Sequence, residues 1–459
     1  TENVLIGGLA GDALLNGGQN VAVGHAALSA EDGHGQNVAI GYLALVAQNA
    51  GATAYNTAVG SQAGQAITTG LKNVLVGGLA GDALIDADWN TAIGTQALSS
   101  DTYGSKSTAV GQSALFTQNF TTATESFNTA VGFEAGKGVT TGAQNTYVGA
   151  LAGDASTTSS KNVAMGVNAL STNILGSNST AVGTAALFTQ NPATAVDMYN
   201  TAVGFEAGKG VTTGINNTIV GALAGDTIST GHSHTLIGKN AGTLIVDAEE
   251  NTCVGQNSGI AITGSYNNCV GAATGSYGVN LTSGSKNNLM GNYVHTSAAD
   301  SINQTVFGYN VAGSADSTLT FGTGTTDTTC SYGGTTWSAP SDSRMKEDVV
   351  TSTAGLSFIN ALRPVTYKWK KEKDISTALD AYVEGSETRV MNDKTNHGFI
   401  AQEVKTVIDA HSEIKNGFSM WMEKDSDGQQ RVAPSALVPM LVKAIQEQNA
   451  LIESLTARI

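Results

Sequence analysis

Asn128-Thr-Ala-Val-Gly-Phe-Glu-Ala-Gly-Lys-Gly-Val-Thr-Thr-Gly142 recurs unchanged at Asn200–Gly214, and a relative of it begins at Asn56. Its opening, an Asn followed by Ala/Leu-Val/Ile-Gly, is the most frequent pattern in the chain. The closing glycines fall at Gly24, Gly41, Gly60, Gly77, Gly94 and Gly111 and continue to Gly308. The commonest step is the one from Gly24 to Gly41 or from Gly60 to Gly77, with a few steps slightly shorter or longer. A near-constant period of this size marks a solenoid, in which one unit stacks on the next. Four coils form a larger duplicated block, because the pairs Gly11-Asp12, Gly81-Asp82, Gly153-Asp154 and Gly225-Asp226 recur at an almost constant interval. Such a chain builds length rather than a pocket, so the first expectation is a fibre.

Each coil carries β-branched residues two apart, such as Val21 and Val23 or Thr129 and Val131. That alternation fits a strand of four or five residues. Flanking Gly and Asn are expected to supply the positive φ of tight corners. Two short strands and two corners use up the period, which predicts a mainly β fold, a β-roll or β-helix. Each coil should add roughly 4.8 Å, for a rod on the order of 90 Å. The core should be thin, with one or two aliphatic side chains inward and Ala and Gly facing outward. So little apolar area is a weak match for chain entropy. The expectation is therefore a homotrimer that buries the Ala/Gly faces, with a monomeric solenoid as the alternative.

Composition changes once. Residues 1–337 hold 7 Lys, no Arg and 20 acids, whereas residues 338–459 hold 15 Lys plus Arg and 17 acids; 51 of the 56 glycines lie in the first part. This predicts a repeat shaft over 1–337 and a second domain over 338–459, with the boundary near Trp337 to Ser341. The net charge of −15 lies almost wholly on the shaft. An acidic, Lys-poor surface argues against nucleic acid or anionic membranes as partners. No apolar run approaches the length of a bilayer-spanning helix. The chain starts at Thr1 inside a repeat with no legible signal peptide, so an upstream segment is expected. Three cysteines form no disulfide framework, which fits assembly in a cytoplasm. Cys253 and Cys269 take the Ala slot in successive coils and read as small buried thiols.

The second domain carries four separate motifs: Ser341-Asp-Ser-Arg-Met-Lys-Glu-Asp-Val349, Leu362-Arg-Pro-Val-Thr-Tyr-Lys-Trp369, His397-Gly-Phe-Ile-Ala-Gln-Glu-Val404 and Leu437-Val-Pro-Met-Leu-Val-Lys-Ala-Ile-Gln446. In this order they resemble the endosialidase-type intramolecular chaperone at the C-terminus of bacteriophage tail spikes and fibres. The resemblance covers about the last 120 residues. It implies a trimerisation domain that removes itself through a Ser–Lys dyad, here Ser341 and Lys346, cutting at Pro340–Ser341. Asp342 and Arg344 also match and would position the dyad. Chemically, a serine hydroxyl needs a base, and lysine serves only when desolvation lowers its pKa. Three chains closing around the site would couple cutting to assembly. The alternative for Ser341 and Lys346 is a polar linker with a solvated lysine. The shaft repeat is similar to the head repeats of trimeric autotransporter adhesins, whose usual coil is shorter; that likeness implies a trimeric roll with an adhesive, extracellular role.

Val438, Leu441, Ile445, Gln448, Ile452, Leu455 and Ile459 step by three and four, the a/d rhythm of a coiled coil. A helix packed on its own domain is the alternative. His397 to Ile408 reads as a second amphipathic helix and Arg363 to Trp369 as a strand. His232 and His234 could chelate a metal on a trimer axis, but surface or corner histidines are the better reading. Asp12, Asp82, Asp154 and Asp226 lack the additional carboxylates Ca²⁺ requires and read as corner caps. No metal or other cofactor is expected.

Together with the repeats, the resemblance implies a structural and adhesive virion fibre, joined to the particle by an upstream virion attachment segment, assembled in the host cytoplasm, that meets a glycan or protein receptor on the host surface. A bacterial cell-surface adhesin using the same chaperone, or a glycan-degrading tail spike, are the alternatives. The only enzymatic activity expected is the single cut in cis.

Overall fold

A computed structural model describes residues 2–458, and the chain divides into two compact units with the boundary between Pro340 and Ser341. The first is a β-solenoid of short coils, in which equivalent residues such as Asn56 and Asn73 lie 17 residues apart. Each coil contributes one three-residue strand, such as Thr57–Val59, Val74–Val76 and Thr91–Ile93. Successive strands pair parallel and in register, Thr57↔Val74↔Thr91 and Val59↔Val76↔Ile93, within a 20-stranded sheet. The sheet closes on an antiparallel hairpin, Thr318–Thr323 with Thr326–Ser331. The expected second strand per coil is mostly missing. Two-residue pairings at Gly104–Ser105 with Thr124–Glu125 and at Gly176–Ser177 with Val196–Asp197 are its main traces. Turns and bends occupy that side instead.

The faces of the strand are the reverse of the expectation. The central residue points inward and is fully buried: Ala22, Ala39, Ala58, Ala92, Ala109 and Ala130 are at 0 % exposure. The β-branched flanks point outward. Ile40, Ile93, Val131, Met165, Val203, Ile237 and Met290 are exposed and form an aliphatic column along the outer face of the sheet. The reason is space. A coil this narrow holds only a few inward side chains at interior packing density, Ala22 with Leu28 in one coil and Leu75 with Leu84 in another. Where the central residue grows to Tyr147, Gly153 stands opposite, and a Cβ there would lie 2.5 Å from the Tyr147 ring. The glycine that ends each strand answers to the same crowding. Gly94 has φ +134°, and a Cβ on it would lie 2.5 Å from the carbonyl oxygen of Gly111 in the next coil.

The asparagine that leads each strand is not a corner residue. Asn20, Asn37, Asn56, Asn73, Asn90, Asn128, Asn145 and Asn162 are all buried. Their side chains bond coil to coil: Asn56 Oδ1 accepts from Asn73 N–H at 2.7 Å, and Asn73 Oδ1 accepts from Asn90 N–H at 2.9 Å. The amide nitrogens of Asn56 and Asn73 donate to corner carbonyls, Gly70 and Ala87, both at 2.7 Å, whereas that of Asn37 is buried without a partner. The ladder thus satisfies backbone groups that a solenoid without a full second sheet leaves unpaired. The positive φ falls on the preceding residue, Tyr55, Lys72 and Trp89 at 54°, 59° and 60°.

In the second unit, helix α1 (Leu356–Ala361) precedes strand Val365–Tyr367, which pairs antiparallel with Asn396–Gly398. Helix α2 (Ala401–Ala410) follows, then a hairpin, Trp421–Glu423 with Gln430–Val432, and helix α3 (Val438–Thr456). His397 and Gly398 therefore belong to a strand, and the expected helix starts only at Ala401. Phe358, Val404, Ile408, Met420 and Leu437 make its core. Among the described residues, no helix is long and apolar enough to cross a membrane.

Candidate functional site

Ser341 opens the second unit. Asp342 caps a single 3-10 turn, Ser343–Met345, its Oδ1 accepting from Arg344 N–H at 2.8 Å. The Arg344 guanidinium folds back onto the same carboxylate, with Nε 3.0 Å from Oδ1 and Nη2 2.5 Å from Oδ2. This bond holds the Asp342 carboxyl below its usual range and raises the Arg344 guanidinium. Lys346 N–H closes the turn on Ser343 carbonyl at 3.2 Å. The turn carries the lysine back over the serine, and Lys346 Nζ donates to Ser341 Oγ at 2.7 Å. Both side chains are exposed in the single chain. The contact is the one a lysine base needs to take the proton of a serine nucleophile, provided water is excluded.

Two of the other motifs meet at α2. Arg363, which follows α1, forms a two-pronged ion pair with Glu403 on α2; Nε lies 2.9 Å from Oε2 and Nη2 bonds Oε1. Arg363 lowers the Glu403 carboxyl. Helix α3 lies against α1, with Ala444 buried and Glu447 Oε2 accepting from Leu356 N–H at 2.8 Å. The opposite face of α3 is uncovered. Val438, Leu441, Ile445, Gln448, Ile452 and Leu455 are all exposed, and Ile459 lies outside the described residues. The a/d seam is thus not the face that packs on its own unit.

The histidine pair does not converge. His232 is half-exposed, 3.4 Å from Glu249, but His234 is buried, which corrects the surface reading. His234 occupies an asparagine rung. Its N–H donates to Asn217 Oδ1 at 3.0 Å, Nδ1 accepts from Asn251 N–H at 3.1 Å, and Nε2 bonds Ala248 carbonyl at 2.8 Å. Burial lowers its pKa to about 4. Its place midway between Asn217 and Asn251, one full coil from each, is the signal in the sequence that identifies this role. Asp82 and Asp154 accept hydroxyl bonds from Ser99 (2.5 Å) and Ser171 (2.6 Å) one coil on. Cys253 and Cys269 are register partners on adjacent strands; both are buried and unbridged. Cys269 and burial push the Cys253 thiol up.

The family model described as chaperone of endosialidase (Peptidase_S74) matches residues 341–413. No curated protein and no solved structure matches the chain. The match begins at the serine of the Ser341–Lys346 contact and takes in the Arg363–Glu403 pair. A β-solenoid of short coils therefore carries at its C-terminal end a segment of the kind found in the chaperone of endosialidase.

Proposed function

We propose that this chain is part of a homotrimeric virion fibre, a phage tail fibre or spike, whose C-terminal unit registers three copies and then removes itself. The hydrogen bond from Lys346 Nζ to Ser341 Oγ carries this reading, standing at the first residues of the chaperone match. Two uncovered apolar surfaces support the trimer: the aliphatic column on the sheet and the a/d seam of α3. Sister chains on those surfaces would bury both.

The Lys346–Ser341 contact supports a cut in cis. Lys346 as the neutral amine takes the hydroxyl proton, and Ser341 Oγ attacks the carbonyl carbon of Pro340. The C–N bond breaks, the proton passes to the departing Ser341 nitrogen, and the acyl group rests on Oγ as an ester. Water hydrolyses that ester, leaving a Pro340 carboxylate and a free serine. A lysine acts as a base only where water is excluded around it, so the reaction waits for neighbouring chains to close over the site. Cutting is thereby tied to assembly, and the released shaft keeps its fold without its template.

The freed fibre would hold an adhesive surface toward a host receptor. On a denaturing gel the wild-type chain should run as two pieces of roughly 34 and 12 kDa by residue count, and Ser341→Ala and Lys346→Met as one. A Ser341→Ala chain that still splits at Pro340–Ser341 would exclude the dyad.

A further inference from the structure

Three corners of the solenoid are built alike, one block apart. Glu31, Asp101 and Asn173 are each fully buried and hold the same place in successive blocks. In each, a side-chain oxygen accepts from the backbone N–H three residues on: His34 at 3.0 Å, Gly104 at 3.0 Å and Gly176 at 3.1 Å. In each, a glutamine one coil later, Gln48, Gln118 or Gln190, turns its amide toward the same group.

The second and third corners are complete in themselves. Asp101 takes a further bond from Phe120 N–H at 3.1 Å and a 2.6 Å bond from Gln118. Asn173 spends its own amide on the Gly176 carbonyl at 2.7 Å. At the first corner, Glu31-Asp-Gly-His34 in place of Asp101-Thr-Tyr-Gly104 and Asn173-Ile-Leu-Gly176, two of the differences add ligand atoms. Asp32 stands where the others have Thr102 and Ile174, and His34 where they have Gly104 and Gly176. Its carboxylate is less well served, since Gln48 reaches Glu31 only at 3.4 Å. A buried carboxylate without strong partners is costly. The His34 Nδ1 atom is also buried and makes no hydrogen bond.

Those two substitutions bring one ligand atom each from Glu31, Asp32 and His34 within 4.8 Å of one another. His34 Nδ1 stands 3.4 Å from Glu31 Oε1. Two ligands of a tetrahedral zinc ion, with bonds of about 2.0–2.2 Å, lie about 3.3–3.5 Å apart. The geometry points to a site for a divalent transition metal of the zinc type, held by His34 Nδ1 and the carboxylates of Glu31 and Asp32, with a fourth vertex open to water. An imidazole ligand favours zinc, cobalt or nickel, whereas calcium requires six or more oxygens. Glu31 and the Nδ1 edge of His34 are fixed by the coil, and exposed Asp32 is free to close on the ion. The metal would tie down a corner in the first coils of the described solenoid.

The test uses the full chain, stripped with EDTA and titrated with Zn²⁺ by calorimetry and with Co²⁺ by visible absorption. Wild type should bind one ion per chain and give the intense d–d bands of tetrahedral Co²⁺. His34→Gly copies the corners at Gly104 and Gly176, so its melting in EDTA should match wild type while its affinity falls at least tenfold and the bands vanish. Glu31→Gln should weaken binding similarly. Absence of saturable binding in wild type, or His34→Gly binding as tightly as wild type, would overturn the site.

Discussion

The side-chain oxygen of Asn56 accepts from the backbone N–H of Asn73 one coil later, at 2.7 Å, and Asn73 repeats the arrangement toward Asn90. This relation explains why an Asn leads nearly every strand. It also identifies the rungs on which the solenoid depends.

Asn73→Ala removes the acceptor for Asn90 N–H and the donor to Ala87 carbonyl, both in the buried interior. An unsatisfied buried group costs about 1–3 kcal/mol. Loss of about 2–4 kcal/mol is therefore expected, read as a lower denaturant midpoint. A loss below about 0.5 kcal/mol, the range of an ordinary surface change, would mean that the ladder is incidental.

His234 gives the ladder one pH-sensitive rung. Its folded pKa of about 4 lies below the usual 6.5, so the unfolded chain binds the proton more readily. Stability from this rung is complete above pH 6.5, declines as pH falls through the interval, and is gone below about 4. The full effect is on the order of 3 kcal/mol. Urea unfolding of wild type against His234→Asn should diverge between pH 6.5 and 4. Parallel curves would show that His234 does not titrate with folding.

Gly94→Ala places a Cβ against the Gly111 backbone at a φ that L-residues avoid. It should cost about 2–4 kcal/mol. Gly8→Ala is the matched control, since the nearest atom to its Cβ is 3.8 Å away on His25, and it should change the midpoint by under about 0.5 kcal/mol. Equal midpoints for the two variants would contradict close stacking as the reason for the glycine column.

The seam on α3 can be broken without touching the core of its unit, because Ile445 and Ile452 are exposed. Ile445→Asp with Ile452→Asp should preserve the far-ultraviolet circular dichroism of the unit while abolishing trimers and the cut. Normal cleavage in that double variant would separate cutting from assembly.

Much of the fold is legible from spacing. The regular step from Gly24 to Gly41 and onward implies the solenoid, and the in-register pairing of Val21 with Val38 follows from it. The orientation of the strand is not legible, because Ala-flanked-by-Val alternates identically whichever face is inside. Only the width of the closed coil assigns Ala58 to the core and Ile93 to the surface. Asn73 reads as a turn residue in the sequence because local propensity says nothing of a bond to the next coil. In the second unit, the motif identifies Ser341 and Lys346, and the turn that joins them follows from Asp342 capping Arg344. Apolar spacing draws His397 into a helix, but pairing with Thr366 places it in a strand.

Sedimentation equilibrium of the Ser341→Ala chain asks whether three copies are required. The expected species is near three times 46.6 kDa, with no folded monomer down to nanomolar concentration. A well-ordered monomer with the full β signature would contradict the trimer, and with it the coupling of cleavage to assembly.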